Sequence, residues 1–132
     1  RDIIDGRDAL EQFFGKPVRG FAYPFGAYNS AVMDAVRESG HLYARGVGNN
    51  DCPFPPEDPM AFQPCCHFLA PDFREHYERA RAGGVFYFWG HSYEMINDEM
   101  WADFEAKIRQ ISTDSGSRWG EIADLFINKK TV

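Results

Sequence analysis

The run Val85-Phe86-Tyr87-Phe88-Trp89 constrains this chain more than any other stretch. Five consecutive apolar residues, bounded by Gly84 and Gly90, cannot alternate between a wet face and a dry one. A strand built from them has to be covered on both faces, as in a parallel sheet flanked by helices. Parallel neighbours need crossover connections, so helices are expected between strands. Strand-like segments begin near Arg19, Leu42, Phe62 and Val85, about 20–23 residues apart, and each interval has room for one helix.

Periodicity and end signals place the helices. Residues 7–14 put Leu10, Phe13 and Phe14 on one face, with Gly15 where a left-handed C-terminal cap belongs and Pro17 beyond it. Residues 19–23 read as a strand stopped by Pro24-Phe25-Gly26. Asn29 is the N-cap of a helix running through Ser39, which Gly40 ends. A second strand follows over 42–47, and the proline-rich stretch 48–59 is a long loop. A short strand is expected within 61–69, then a helix from Pro71 carrying Phe73, Tyr77 and Ala80. After the strand 85–89, a helix from about Asp98 has the stripe Trp101, Phe104, Ile108 and Ile111. Trp119, Ile122, Ala123 and Phe126 point to a last helix. The expected architecture is α/β: one domain over 1–132, with about four β/α units and parallel strands flanked by helices.

Charge narrows the partners. With 14 basic and 20 acidic residues the net charge is −6, against the concentrated basic face that nucleic acid requires. No apolar run approaches ~18 residues, so no membrane span is expected, and no basic segment leads into an apolar one as in a signal peptide. The chain starts at Arg1 without Met, the expectation being a processed or trimmed piece. The three cysteines, Cys52, Cys65 and Cys66, are odd in number and two are adjacent, which suits free thiols and a reducing compartment better than a disulfide framework. The compartment itself is left open.

In parallel α/β folds, reactive residues gather where strands end. Two such ends stand out. At Arg19-Gly20-Phe21-Ala22-Tyr23-Pro24-Phe25-Gly26, the bend can aim peptide N–H groups into a cleft and stabilise an oxyanion, or it is a plain turn beside a surface arginine. At Phe88-Trp89-Gly90-His91-Ser92-Tyr93-Glu94, His91 can move protons near neutral pH with Ser92 and Glu94 close enough to orient it, or it bonds a loop carbonyl. Cys65 and His67 share one face of a strand, as a metal or nucleophile pair or as part of a buried thiol cluster, with no third or fourth ligand evident nearby. His41 and His76 read as solvated. The carboxylates, Asp51 among them, form no strand-end pair, and nucleophile-elbow, P-loop and dinucleotide motifs are absent.

Taken in order, the two strand ends resemble the C-terminal half of the polysaccharide deacetylase family, the NodB-homology domain. The family's third motif is Arg, four spacers, Pro and Tyr; Arg19 through Pro24-Phe25-Gly26 is similar to it, with Phe in place of Tyr. Its fifth motif is an apolar residue, two spacers and His, as in Phe88-Trp89-Gly90-His91. Gly40-His41-Leu42-Tyr43-Ala44-Arg45 resembles one branch's Gly-Tyr-x-Tyr-x-Arg stretch. The resemblance spans about Arg7 to Phe126.

It implies a partial (β/α) barrel and metal-assisted hydrolysis of N- or O-acetyl groups on sugars. It further implies that Arg19 orients a general-base aspartate, the Phe25 amide helps hold the oxyanion, and His91 protonates the leaving group. Tyr23 and Trp89 would be sugar-stacking walls beside Pro24, and Asp51 would stand for the fourth motif. The first and second motifs, which supply Asp-Asp and His-x-x-x-His, are missing from this chain. The expectation is therefore that this chain holds no metal, needs an upstream half to bind a zinc-like ion, and is inactive alone. The expected partner is an acetylated carbohydrate. Open sheet edges are expected to promote self-association or completion by that upstream half. A non-catalytic carbohydrate-binding or degenerate deacetylase-like module is the alternative. An unrelated flavodoxin-like domain would need a phosphate-cradling loop, and none is seen.

Overall fold

The computed structural model describes residues 1–49 and 54–127. Their contacts divide the chain into two compact units. The first holds Arg1–Gly46, Pro55–Phe62 and the segment from Glu121; the second holds Val47–Phe54 and Gln63–Gly120. Asp51 and Cys52 lie outside the described residues.

In the first unit, α1 (Asp2–Phe14) ends on Gly15, which is left-handed at φ 66° and donates its N–H to the Glu11 carbonyl, as the sequence predicts. Its apolar face is not core: no residue of α1 is buried, and Leu10, Phe13 and Phe14 are exposed. Strand β1 (Gly20–Ala22) leads through a 3₁₀ turn at Pro24–Gly26 to α2 (Ser30–Glu38). Asn29 caps α2, its side chain accepting from the Val32 N–H at 2.9 Å. Strand β2 (Tyr43–Arg45) lies parallel to β1. Tyr23, Val36, Ala44 and Met60 form this unit's core, with Ile3, Phe21 and Met33 against it.

The second unit pairs β3 (Cys66–His67) in parallel with β4 (Phe88–Trp89), in register Cys66↔Phe88 and His67↔Trp89. Helix α3 (Phe73–Ala80) buries Phe73 and Tyr77. Helix α4 (Asp98–Thr113) is capped by Asn97, which accepts from Met100 N–H at 2.9 Å. The core joins Cys65, Cys66, Phe68, Phe73, Tyr77 and Ile111, with Phe86, Phe88, Met95 and Phe104 packed on it. Lys107 is buried beside it, where its ammonium meets the Phe68 carbonyl at 2.9 Å and Asp103 at 2.7 Å.

The partial (β/α) barrel of four units is not what forms. Among the described residues the strands make two separate two-stranded parallel sheets, and no strand exceeds three residues. Hydrogen bonding explains why. Segment 61–69 serves two partners. Phe62 bridges to Arg45 in parallel, its N–H donating to the Ala44 carbonyl at 2.9 Å. Pro64 has no N–H to continue that ladder. Beyond it, Cys66 and His67 pair with β4. The apolar run 85–89 is shortened for a related reason. The Tyr87 N–H donates to the Cys65 thiol sulfur at 3.4 Å, so a side chain replaces a ladder carbonyl. The last expected helix is a 3₁₀ turn, Ile122–Leu125. No described helix is long and apolar enough to cross a membrane.

Candidate functional site

Register builds the site. Because His67 stands beside Trp89 in the ladder, the chain leaving β4 carries His91 past the carboxyl end of β3. Gly90 is required at this exit: a Cβ there would lie 1.6 Å from Cδ1 of Phe68. His91 then opens a 3₁₀ turn, Ser92–Glu94, and Glu94 folds back onto it.

One carboxylate oxygen, Glu94 Oε2, collects three donors. The His91 backbone N–H reaches it at 2.8 Å, His67 Nε2 at 2.9 Å and His91 Nδ1 at 3.1 Å. Partial desolvation by itself pushes the Glu94 carboxyl up. Hydrogen bonds from the His91 N–H and from the two imidazoles outweigh that and hold it below its ordinary 4.5. The other nitrogen of His67, Nδ1, accepts the Leu69 N–H at 3.1 Å. A nitrogen that accepts carries a lone pair, so neutral His67 keeps its proton on Nε2 and donates it to Glu94. His91 Nδ1 likewise faces the carboxylate as a donor. That leaves His91 Nε2 as a lone pair in the neutral ring and as an N–H in the imidazolium.

Aromatic contacts fix both rings. His91 stacks on Tyr93 at 4.9 Å and meets Trp89 edge-on at 5.7 Å. Trp89 also meets His67 edge-on at 4.6 Å and donates its indole N–H to the Gly48 carbonyl at 3.3 Å. His91 is the most open of the three polar residues, its side chain 46% exposed against 20% for His67. It borders a cleft of about 410 Å³ whose walls include Phe68, Phe88, Trp89, Met95, Trp101 and Phe104.

The ligand atoms of His67, His91 and Glu94 lie within 4.8 Å of one another, the one such grouping of three among the described residues. A divalent ion is the group the deacetylase resemblance implies, and these residues do not fit it. Metal-bound histidines donate their second ring N–H to a carbonyl or carboxylate. His67 does the reverse: its second nitrogen accepts an N–H, and the nitrogen turned to Glu94 is the protonated one.

The remaining sequence candidates divide between the units. Trp89 and His91 are in the second; Arg19, Tyr23, Pro24 and Phe25 are in the first. Arg19 is exposed and borders a separate cleft with Lys16, Tyr43, Glu121 and Asp124. Tyr23 is 4% exposed, donates its hydroxyl to the Met60 carbonyl at 2.8 Å and stacks on Tyr28 at 4.7 Å. That packing leaves its ring as core and offers no face to a sugar. Pro24 opens the turn, and Phe25 is left-handed at φ 56° with a fully exposed side chain. Asp51 lies outside the described residues. Cys65 and Cys66 are buried free thiols. Burial, then the neighbouring Cys65, pushes the Cys66 thiol up to about 12, so it stays protonated and is a poor nucleophile or ligand.

Ser92 and Glu94 adjoin His91 in the sequence, whereas His67, which the sequence offers with Cys65 as a metal or nucleophile pair beside a buried-thiol alternative, meets Glu94 instead. The signal for His67 is the parallel register that sets Cys66-His67 against Phe88-Trp89, with a second histidine two residues on. No protein-family model, curated protein or solved structure matches the chain.

Proposed function

We propose that this chain carries the proton-donating part of a hydrolytic site that removes N- or O-acetyl groups from carbohydrates. The observation that carries the reading is the Glu94 clamp on His91, at the carboxyl end of a parallel strand pair and beside an aromatic cleft. With Nδ1 bound to a carboxylate, the imidazolium presents Nε2–H outward. Water adds to the acyl carbon, and when the carbon–nitrogen or carbon–oxygen bond of that adduct breaks to release acetate, the Nε2 proton passes to the departing sugar nitrogen or oxygen and Nε2 keeps the lone pair. Glu94 stabilises the charged ring and His67 holds Glu94 in place, the division of labour seen wherever a carboxylate orients a catalytic imidazole. In the deacetylase resemblance a divalent ion polarises the acyl carbonyl. The residues here do not fit that ion, and no step is assigned to it.

That mismatch favours the second reading, a non-catalytic carbohydrate-binding module. One experiment separates the two. A polypeptide containing this chain is assayed on acetylated chito-oligosaccharides, with His91→Ala alongside. Proton donation predicts a loss of about 10²-fold in turnover, with the folded protein's circular dichroism unchanged. Turnover equal to the parent overturns the reading, and saturable sugar binding without turnover supports the module.

A further inference from the structure

The cleft next to His91 is poorly matched to an acetyl group. Six of its walls, Phe68, Phe88, Trp89, Met95, Trp101 and Phe104, are aromatic or aliphatic, and its polar groups, His91 and Ser92, come together from one turn. A shallow face of α4 adjoins it and shares Trp101 and Phe104 with it. It carries the apolar surface onward past Ala102 and Ile108, with Asp98 and Glu105 among its lining residues. The combined surface is mostly apolar, with polar groups at the His91 turn and the acidic Asp98 and Glu105 along α4. Trp101 stands 48% exposed on it, and Ile96 and Tyr93 nearby in sequence are still more open. Large apolar side chains grouped in the open mark a binding surface.

A pyranose carries hydroxyls on every edge and would leave most of them unpaired against hydrocarbon walls. A free carboxylate at the α4 end would meet Asp98 and Glu105 and be repelled. An unbranched chain with its one carbonyl at the His91 end satisfies both limits. We propose that the substrate's acyl group is such a chain, longer than acetyl, lying in this cleft while the sugar stays at its mouth. This rests on His91 as the proton donor of sugar deacylation and changes the acyl group that it serves.

The test is a titration series of N-acetyl-, N-butanoyl-, N-hexanoyl- and N-octanoylglucosamine, each below its micelle concentration. Tryptophan fluorescence reports binding. The protein carries Trp119→Phe, so that emission comes from Trp89 and Trp101 on the cleft wall. Each added methylene is expected to tighten binding about fourfold until the cleft is filled. Trp101→Ala, an exposed helix position, should weaken the octanoyl probe at least tenfold and leave the helical circular dichroism unchanged. Equal affinities along the series, or an octanoyl affinity indifferent to Trp101→Ala, overturn the proposal. The two readings fail separately. A flat chain-length series removes the acyl cleft whatever His91 does. Unaltered turnover in His91→Ala removes the proton donor and leaves the series standing.

Discussion

Three donors on one glutamate oxygen make Glu94 the most consequential side chain at the site. Its carboxyl is depressed in the folded protein, so its contribution to stability is complete above the ordinary glutamate value of 4.5. It is lost as pH falls through the lower folded value, because a protonated carboxyl no longer accepts from both imidazoles. The unfolding temperature of Glu94→Gln should therefore lie below the parent's at neutral pH, and the gap should close on acidification below 4.5. A gap that is constant down to acid pH would contradict the clamp. Gly90 is the second sensitive position. In Gly90→Ala the new methyl meets the Phe68 ring, and a loss of about 1–3 kcal/mol is expected in urea unfolding. His91 with Glu94 was legible from the sequence because they are three residues apart in one turn. His67 was not, since it reaches Glu94 across 27 residues through strand register.

Helices were read better than strands, for a physical reason. Caps and periodicity are local: Asn29, Gly15 and the start of α4 all stand where the sequence puts them. Asn97→Ala removes an N-cap hydrogen bond, and a loss of about 1 kcal/mol in chemical denaturation is expected. An unchanged midpoint would show that this cap contributes nothing. Strand length depends on whether a distant partner offers its backbone. Pro64 withholds an N–H and Cys65 offers sulfur in place of oxygen, so the segments 61–69 and 85–89 each yield a strand of two residues. The α1 stripe of Leu10, Phe13 and Phe14 shows the converse: correct helical periodicity does not say which face is covered.

For the whole chain, repeat spacing suggested one continuous parallel sheet, whereas hydrogen bonding gives two short ones in two units. The spacing holds; what it could not reveal is that residues 61–69 pair in two directions. Each unit then depends on a small core. Phe73, fully enclosed by Phe86, Phe88 and their neighbours in the second, should cost about 3–5 kcal/mol when cut to Ala, measured by urea unfolding. The functional account rests on fewer atoms than the fold does. It requires His91 to bind Glu94 through Nδ1 and to keep Nε2 for the substrate. Nitrogen-15 NMR of the histidine rings measures this directly. The account predicts neutral His91 with its proton on Nδ1 and neutral His67 with its proton on Nε2, each coupled to Glu94. A neutral His91 protonated on Nε2 would contradict it.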